Sequence, residues 1–391
     1  MDYDDIVKLE ERTELRAYAK LPLALVRGEG AYVWDARGDR YLDMYGGHAV
    51  CGTGHCHPRV VAAIREQAGK LIFYSNTVRS EVRARASERL LAHAPHPGSQ
   101  VFYCNSGAEA NETAMKLARK FTGREKIVTF QGSFHGRTVA TLSACGIEHY
   151  RHGIAPLLAG HVHVPFGEPE ALRAAVDRET AAVLMEPIQS IGGVTMASAG
   201  YYREAAQIAR EKGALLLFDE VQTGLGRTGT FFFGEHFGVK PDVITLAKSI
   251  ASGVPCGAVI VAPEVAKTVK TGDQGSTFGG GHIAMAAMLA TLEAIDEEGL
   301  CHRAAQADAR ITAACRPLPG VKGIRGKGCL LGLELDRPAA KVQEALLERR
   351  VIAGTAGPSV LRLLPPMTIG AAEVDLFVAA LADVLGAKVP A

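Results

Sequence analysis

Ala214-Leu215-Leu216-Leu217-Phe218-Asp219-Glu220-Val221-Gln222 is an unbroken apolar run that ends in carboxylates. Asp242-Val243-Ile244-Thr245-Leu246-Ala247-Lys248 repeats the form with a lysine at its end. A short run with no polar alternation reads as a strand buried on both faces. Working outward, similar runs stand at Val101–Cys104, Ile127–Phe130, Ala181–Met185 and Gly257–Val261, with helical spacing between them. Buried strands alternating with helices predict an α/β fold, a mostly parallel central sheet flanked by helices. In such sheets ligands bind at the carboxyl ends of the strands, which is where Asp219 and Lys248 fall.

A chain of 391 residues suits a large domain with a smaller companion. Residues 1–54 read as an N-terminal segment of the small domain, with two short strands around the turn Ala36-Arg37-Gly38-Asp39. Residues 55–275 form the large domain, which opens with helices at Pro58 and over Val82–Ala94. Residues 276–391 form a C-terminal small α+β unit. Lys+Arg 43 against Asp+Glu 42 leaves a net charge of +1, which suggests neither a nucleic-acid footprint nor a membrane-binding basic patch. The Cys residues are scattered without a Cys-x-x-Cys pair, as expected of reduced thiols in a cytosol. The acidic start Met1-Asp2-Tyr3-Asp4-Asp5 has no apolar signal region and no run approaches a membrane span, so the expectation is a soluble cytoplasmic protein.

A lysine after a strand is ordinarily a solvated loop charge, and an Asp-Glu at a strand end is ordinarily a turn or cap. Together they suggest more. A lysine amine can form a Schiff base with an aldehyde, and a carboxylate on a neighbouring strand can hold a pyridine nitrogen protonated; these are the groups that pyridoxal phosphate (PLP) requires. Ser106-Gly107-Ala108 opens a helix after a strand. Alone it is a capped helix, but beside the lysine and aspartate it reads as a phosphate cradle. Phe134 could stack on a flat cofactor and Arg137 could clamp a carboxylate, or the stretch is a surface loop. Ser276-Thr277-Phe278-Gly279-Gly280 offers hydroxyls on flexible backbone, as a linker or a binding loop. Gly54-His55-Cys56-His57-Pro58 is read as a turn and helix entry, and no metal is expected.

In combination and order, these motifs resemble class III PLP-dependent aminotransferases, the group of ornithine, acetylornithine and 4-aminobutyrate transaminases, over essentially the whole chain. The resemblance implies the PLP-dependent transferase fold type I. It also implies that Lys248 holds the cofactor as a Schiff base, Asp219 pairs with the pyridine nitrogen and Gln222 approaches the ring hydroxyl. Phe134 then stacks on the ring, Ser106, Gly107 and Ala108 cradle the phosphate, and Glu186-Pro187-Ile188-Gln189 matches a strand-end motif. Ser276 and Thr277 belong to the cofactor set, with Thr277 reaching the phosphate in a partner subunit, which implies an obligate homodimer. Tyr18 and Arg137 match positions that hold the α-carboxylate of ornithine-type substrates. Arg362 matches the arginine that receives the α-carboxylate of glutamate or 2-oxoglutarate, and His48 lines the pocket for the distal group. Lys248 is expected to have a depressed pKa from burial and neighbouring positive charge.

One position departs from the family pattern. Where ornithine and acetylornithine members carry Gln-Gly-Glu-x-Gly, with a glutamate that pairs with the arginine, this chain has Gln189-Ser190-Ile191-Gly192-Gly193. Ile191 cannot neutralise Arg362. The implied reaction is transfer of the δ-amino group of an N-acetyl- or N-succinylornithine to 2-oxoglutarate, in arginine biosynthesis or the parallel lysine route. The alternatives are another ω-amino acid, a diamine or an α-amino acid such as alanine, and a PLP-binding protein without turnover.

Overall fold

A computed structural model describes residues 1–386. The apolar runs become a seven-stranded sheet: β1 (Gln100–Cys104), β2 (Lys126–Phe130), β3 (His161–Val164), β4 (Thr180–Met185), β5 (Leu215–Asp219), β6 (Val243–Leu246) and β7 (Gly257–Val261), in the order β1-β7-β6-β5-β4-β2-β3. Strands β4, β5 and β7 are buried at every residue. Alternation along β5 shows why. Leu215 and Leu217 pack with Ala110, Ala114 and Leu117 of helix α1 (Gly107–Thr122), whereas Leu216 and Phe218 pack with Tyr202, Ala205 and Ile208 of helix α2 (Ala199–Lys212). Each face is covered by helices, so neither carries a polar alternation.

The sheet is parallel except at β7, which runs antiparallel to both β6 and β1. The reason lies in the connection from Leu246 to Gly257. A parallel crossover needs about a dozen residues or more, usually a helix, and here the chain makes only the short turn Lys248–Ala251 before returning. The polar strand β3, with His161 and His163, sits at the sheet edge.

Leu25–Glu29, Tyr32–Asp35 and Arg40–Asp43 form a meander whose last strand pairs in parallel with Val351–Ile352, joining the two ends of the chain. Leu25–Glu29 and the half-exposed, glycine-bearing Val321–Lys327 carry no apolar alternation and escape prediction. Val321–Lys327 pairs with Leu330–Leu335, which continues to Val360–Leu363 and Gly354–Thr355 in an antiparallel sheet. Helix α3 (His282–Glu297) packs on the helices Pro58–Lys70 and Glu81–Leu91. Among the described residues no helix is long and apolar enough to cross a membrane.

Candidate active site

Asp219 is the last residue of β5. Lys248 follows β6 and takes a left-handed backbone conformation, φ 46°. Such a conformation is strained for a side chain that is not glycine and clusters at functional positions. Ser106 caps α1 after β1, Phe134 and His135 follow β2, and Glu186 follows β4. These strand ends converge on one cavity of about 370 Å3, lined by Ser106, Gly107, Ala108, Asn111, Phe134, His135, Glu186, Asp219, Gln222 and Lys248.

Asp219 is buried, and its carboxylate is held by donors. Oδ2 accepts from Asn111 Nδ2 and from His135 Nδ1, each at 2.7 Å, and Oδ1 accepts from the Val221 N–H at 3.1 Å. Thr245 donates to Asn111 Oδ1 at 2.7 Å and so orients that amide. The desolvation of Lys248 pushes its amine below the ordinary lysine value; Asp219 and Glu186 oppose this, and Arg362 adds to it. Burial, then the neighbouring Asp219 charge, raises Glu186 well above the ordinary carboxylate range, although its Oε1 accepts the Phe134 N–H at 2.6 Å.

The start of α1 is a capped first turn. Ser106 Oγ accepts from the Glu109 N–H at 3.2 Å, while the Glu109 carboxylate accepts from the Asn105 N–H at 2.9 Å. This capping arrangement fixes the first turn, whose N–H groups have no partner within the helix. Space there depends on glycine. A Cβ at Gly107 would stand 3.0 Å from the Val221 methyls, and one at Gly136 would meet Ala108 Cβ at 2.7 Å.

Arg362, on strand Val360–Leu363, is only 4 % exposed. Nη1 donates to Ser190 Oγ at 3.2 Å and Nη2 to the Tyr45 hydroxyl at 2.5 Å, while buried Nε has no hydrogen-bond partner. Among the described residues no carboxylate pairs with it; Ile191 follows Ser190 in the chain. Ser190 in turn donates to Gln222 Oε1 at 3.0 Å, so Gln222 links the cavity to the arginine. Arg137 is exposed and lies over the Tyr150 ring at 4.0 Å and the Phe134 ring at 5.9 Å. His48 Nδ1 is 2.9 Å from the Tyr45 hydroxyl. His48 is pushed down to about 4 by desolvation of its ring, then by the positive charges of Arg362 and Lys248. The residue as a whole is exposed, but both charges fix the direction.

Three expected residues lie apart within this chain. Tyr18 is 83 % exposed and stands beside the N-terminal helix Tyr3–Thr13, away from the cavity. Ser276 and Thr277 line a separate groove with Asn76 and Arg83, although Ser276 Oγ accepts from Asn105 Nδ2 at 3.3 Å and so touches the cavity wall. Asn111, His135, Tyr45 and Ser190 were not anticipated. Asn111 carries a legible sign, a polar residue on the apolar stripe of α1, and His135 adjoins Phe134. His55 is committed to Asp43 at 2.7 Å and His57 to Glu298 at 2.8 Å. Among the described residues no group of His, Cys, Asp and Glu is placed to hold a metal ion.

A strand-end lysine and a donor-bound aspartate face one cavity at a helix start, on a doubly covered sheet, the arrangement expected of a PLP-dependent transaminase of fold type I. The chain belongs to the class-III aminotransferase family, whose model matches residues 14–385. It is 42% identical over 390 residues to an acetylornithine aminotransferase of Methanothermobacter thermautotrophicus, covering 99% of this chain and 98% of that one. The fold is similar to that of the ornithine aminotransferase from Toxoplasma gondii, a structure described with partial PLP occupancy at its active site (TM-score 0.94, 31% identity, 98% of this chain and 94% of that one). It is also similar to an (S)-enantioselective omega-transaminase from Thermomicrobium roseum (TM-score 0.93, 32% identity, 99% of each chain). The cofactor is PLP, and the residues present fit it: a cradle that a Cβ would fill, a desolvated amine and a carboxylate with fixed donors.

Proposed function

We propose that the protein transfers the δ-amino group of an N-acylornithine to 2-oxoglutarate, a step of arginine biosynthesis, and that it does so as a cytoplasmic homodimer. The observation that carries the choice of acceptor is Arg362, a buried guanidinium that no carboxylate among the described residues pairs with. A charged group buried without a counterion is costly unless a ligand supplies one, and the carboxylate of an oxo acid does. The named relative favours acylornithine as the donor.

When bound, PLP supplies the electron sink that accepts the electrons of the broken C–H bond. In this reading Asp219, oriented by His135 and Asn111, would pair with the pyridine nitrogen. Lys248, whose amine desolvation lowers, would hold the cofactor's aldehyde carbon and, once displaced by the incoming substrate amine, would carry the substrate's proton. Ser106, Gly107 and Ala108 would bind the phosphate, Phe134 would stack on the ring and Gln222 would approach the ring hydroxyl, with Glu186 in the same cavity lining. Arg137 receives the α-carboxylate of the acylornithine, and His48 lines the pocket for its acyl group. Thr277 serves the partner's phosphate, with Ser276 beside it in the cofactor set, in keeping with a groove set apart from the chain's own lysine.

Ile191 favours a second reading. An arginine without an internal carboxylate admits α-amino donors more readily, so an enzyme for another ω-amino or α-amino acid stays in contention. A panel of acetyl- and succinylornithine, acyl-lysine, 4-aminobutyrate and alanine, each with 2-oxoglutarate, decides between them. We expect the highest kcat/KM with an acylornithine; a higher value for any of the others overturns the assignment.

A further inference from the structure

The hydroxyls around Arg362 form an ordered pair of relays. Ser190 Oγ accepts from Nη1 and donates to Gln222; the Tyr45 hydroxyl accepts from Nη2 and directs its own hydrogen to His48 Nδ1. Burial holds the Tyr45 phenol above its usual value, so it remains a donor. The ring is fixed independently of these bonds. Gly354 pairs in register with Arg362, and a Cβ on it would stand 2.0 Å from Tyr45 Cε2, so the ring lies directly against the strand next to the arginine. On the other side, Asp43 accepts from the N–H groups of Tyr45, Gly46 and Gly47 and from His55. It thereby holds the left-handed run Gly46, Gly47, His48 and Ala49 (φ 55°, 59°, 69° and 62°) that carries the tyrosine and histidine.

We infer that Tyr45 is a specificity-determining residue: it holds Arg362 in a neutral hydroxyl cradle and turns its own O–H from His48 to the α-carboxylate of the dicarboxylic substrate when that group reaches the guanidinium. The inference rests on the reading of Arg362 as the 2-oxoglutarate-binding arginine. Its physical content is an exchange of hydrogen bonds between neutral and charged acceptors, with no ion pair to break first. The arriving carboxylate gains a third donor beside the guanidinium fork. His48 serves as the acceptor that parks the hydroxyl hydrogen between turnovers.

The test is Tyr45→Phe in the holoenzyme, which keeps the ring on Gly354 and deletes only the hydroxyl. A hydrogen bond to a charged group corresponds to a factor of about ten or more. KM for 2-oxoglutarate should therefore rise about tenfold relative to KM for the ω-amino donor, and competitive inhibition by glutarate, a dicarboxylate that cannot react, should weaken in parallel. Gly354→Ala, which displaces the ring while retaining the hydroxyl, should move both readings in the same direction. No change in the KM ratio and in glutarate inhibition for Tyr45→Phe, or equal losses for both substrates, overturns the proposal. Arg362→Ala run alongside separates the two levels. If it selectively impairs 2-oxoglutarate and glutarate while Tyr45→Phe does not, the role of Tyr45 fails alone; if Arg362→Ala is unselective, the assignment of the arginine fails and the role of Tyr45 falls with it.

Discussion

His135 Nδ1 lies 2.7 Å from Asp219 Oδ2, on the same carboxylate oxygen that Asn111 reaches at 2.7 Å. With both donors on Oδ2, the aspartate is held in one orientation. Asp219→Asn keeps the shape but loses the charge. It should lower kcat by about a hundredfold or more while PLP affinity changes less than about tenfold, as read by single-turnover rates and cofactor titration. Near-native turnover would remove Asp219 from the chemistry.

Lys248→Ala should abolish covalent retention of the cofactor, measured by mass after borohydride reduction, while noncovalent PLP binding through the cradle persists. Because desolvation lowers the Lys248 amine, its neutral, nucleophilic form exists at lower pH than for a free lysine. Covalent capture of PLP by the apoprotein should therefore speed up as pH rises, with a midpoint below the ordinary lysine value. A midpoint at or above that value would contradict the desolvated site.

The sequence made Lys248 and Asp219 legible because each terminates an apolar run, a pattern carried by neighbours in the chain. His135 and Asn111 stand 84 and 108 residues from Asp219 and meet it only through packing. Tyr45 is likewise 317 residues from Arg362, and neither strand announces the contact. Fold class followed from the doubly apolar strands. The reversal at β7 did not, since it depends on the length of one connection and not on periodicity. Tyr18 was chosen by resemblance and stands 83 % exposed in the single chain.

The two arginines should separate by half-reaction. A charge-assisted carboxylate contact contributes about 1.5–3 kcal/mol, so each alanine variant should lose roughly ten- to a hundredfold in one half only. Arg137→Ala should weaken the acylornithine half and Arg362→Ala the glutamate/2-oxoglutarate half. Equal losses in both halves for Arg137→Ala would overturn the donor assignment.

Ile191→Glu should place a carboxylate beside Arg362 and shift preference from glutamate toward ω-amines, because glutamate must then displace an internal partner. The measurement is the ratio of single-turnover rates for glutamate and for an acylornithine. An unchanged ratio means that position 191 does not gate the pocket.

If each site draws on both subunits, mixing inactive Lys248→Ala and Thr277→Ala chains should restore activity in part, since both lesions fall in one site of the heterodimer. Absence of recovery despite demonstrated subunit exchange, with Thr277→Ala itself strongly impaired, would argue for sites built within one chain.

Strand β1, which delivers Ser106 to the cavity, has β7 as its sheet neighbour, so Gln100–Cys104 pairs with residues 257–261. On a ribosome, a nascent chain that has emerged as far as α1 has no neighbour in this sheet for its edge strand. The start of α1 cannot be set against the sheet until the segment just beyond Lys248 has left the exit tunnel. Such distant pairing slows folding. It also orders events: Lys248 and the start of α1 reach their places almost together, and incomplete chains have no assembled cavity.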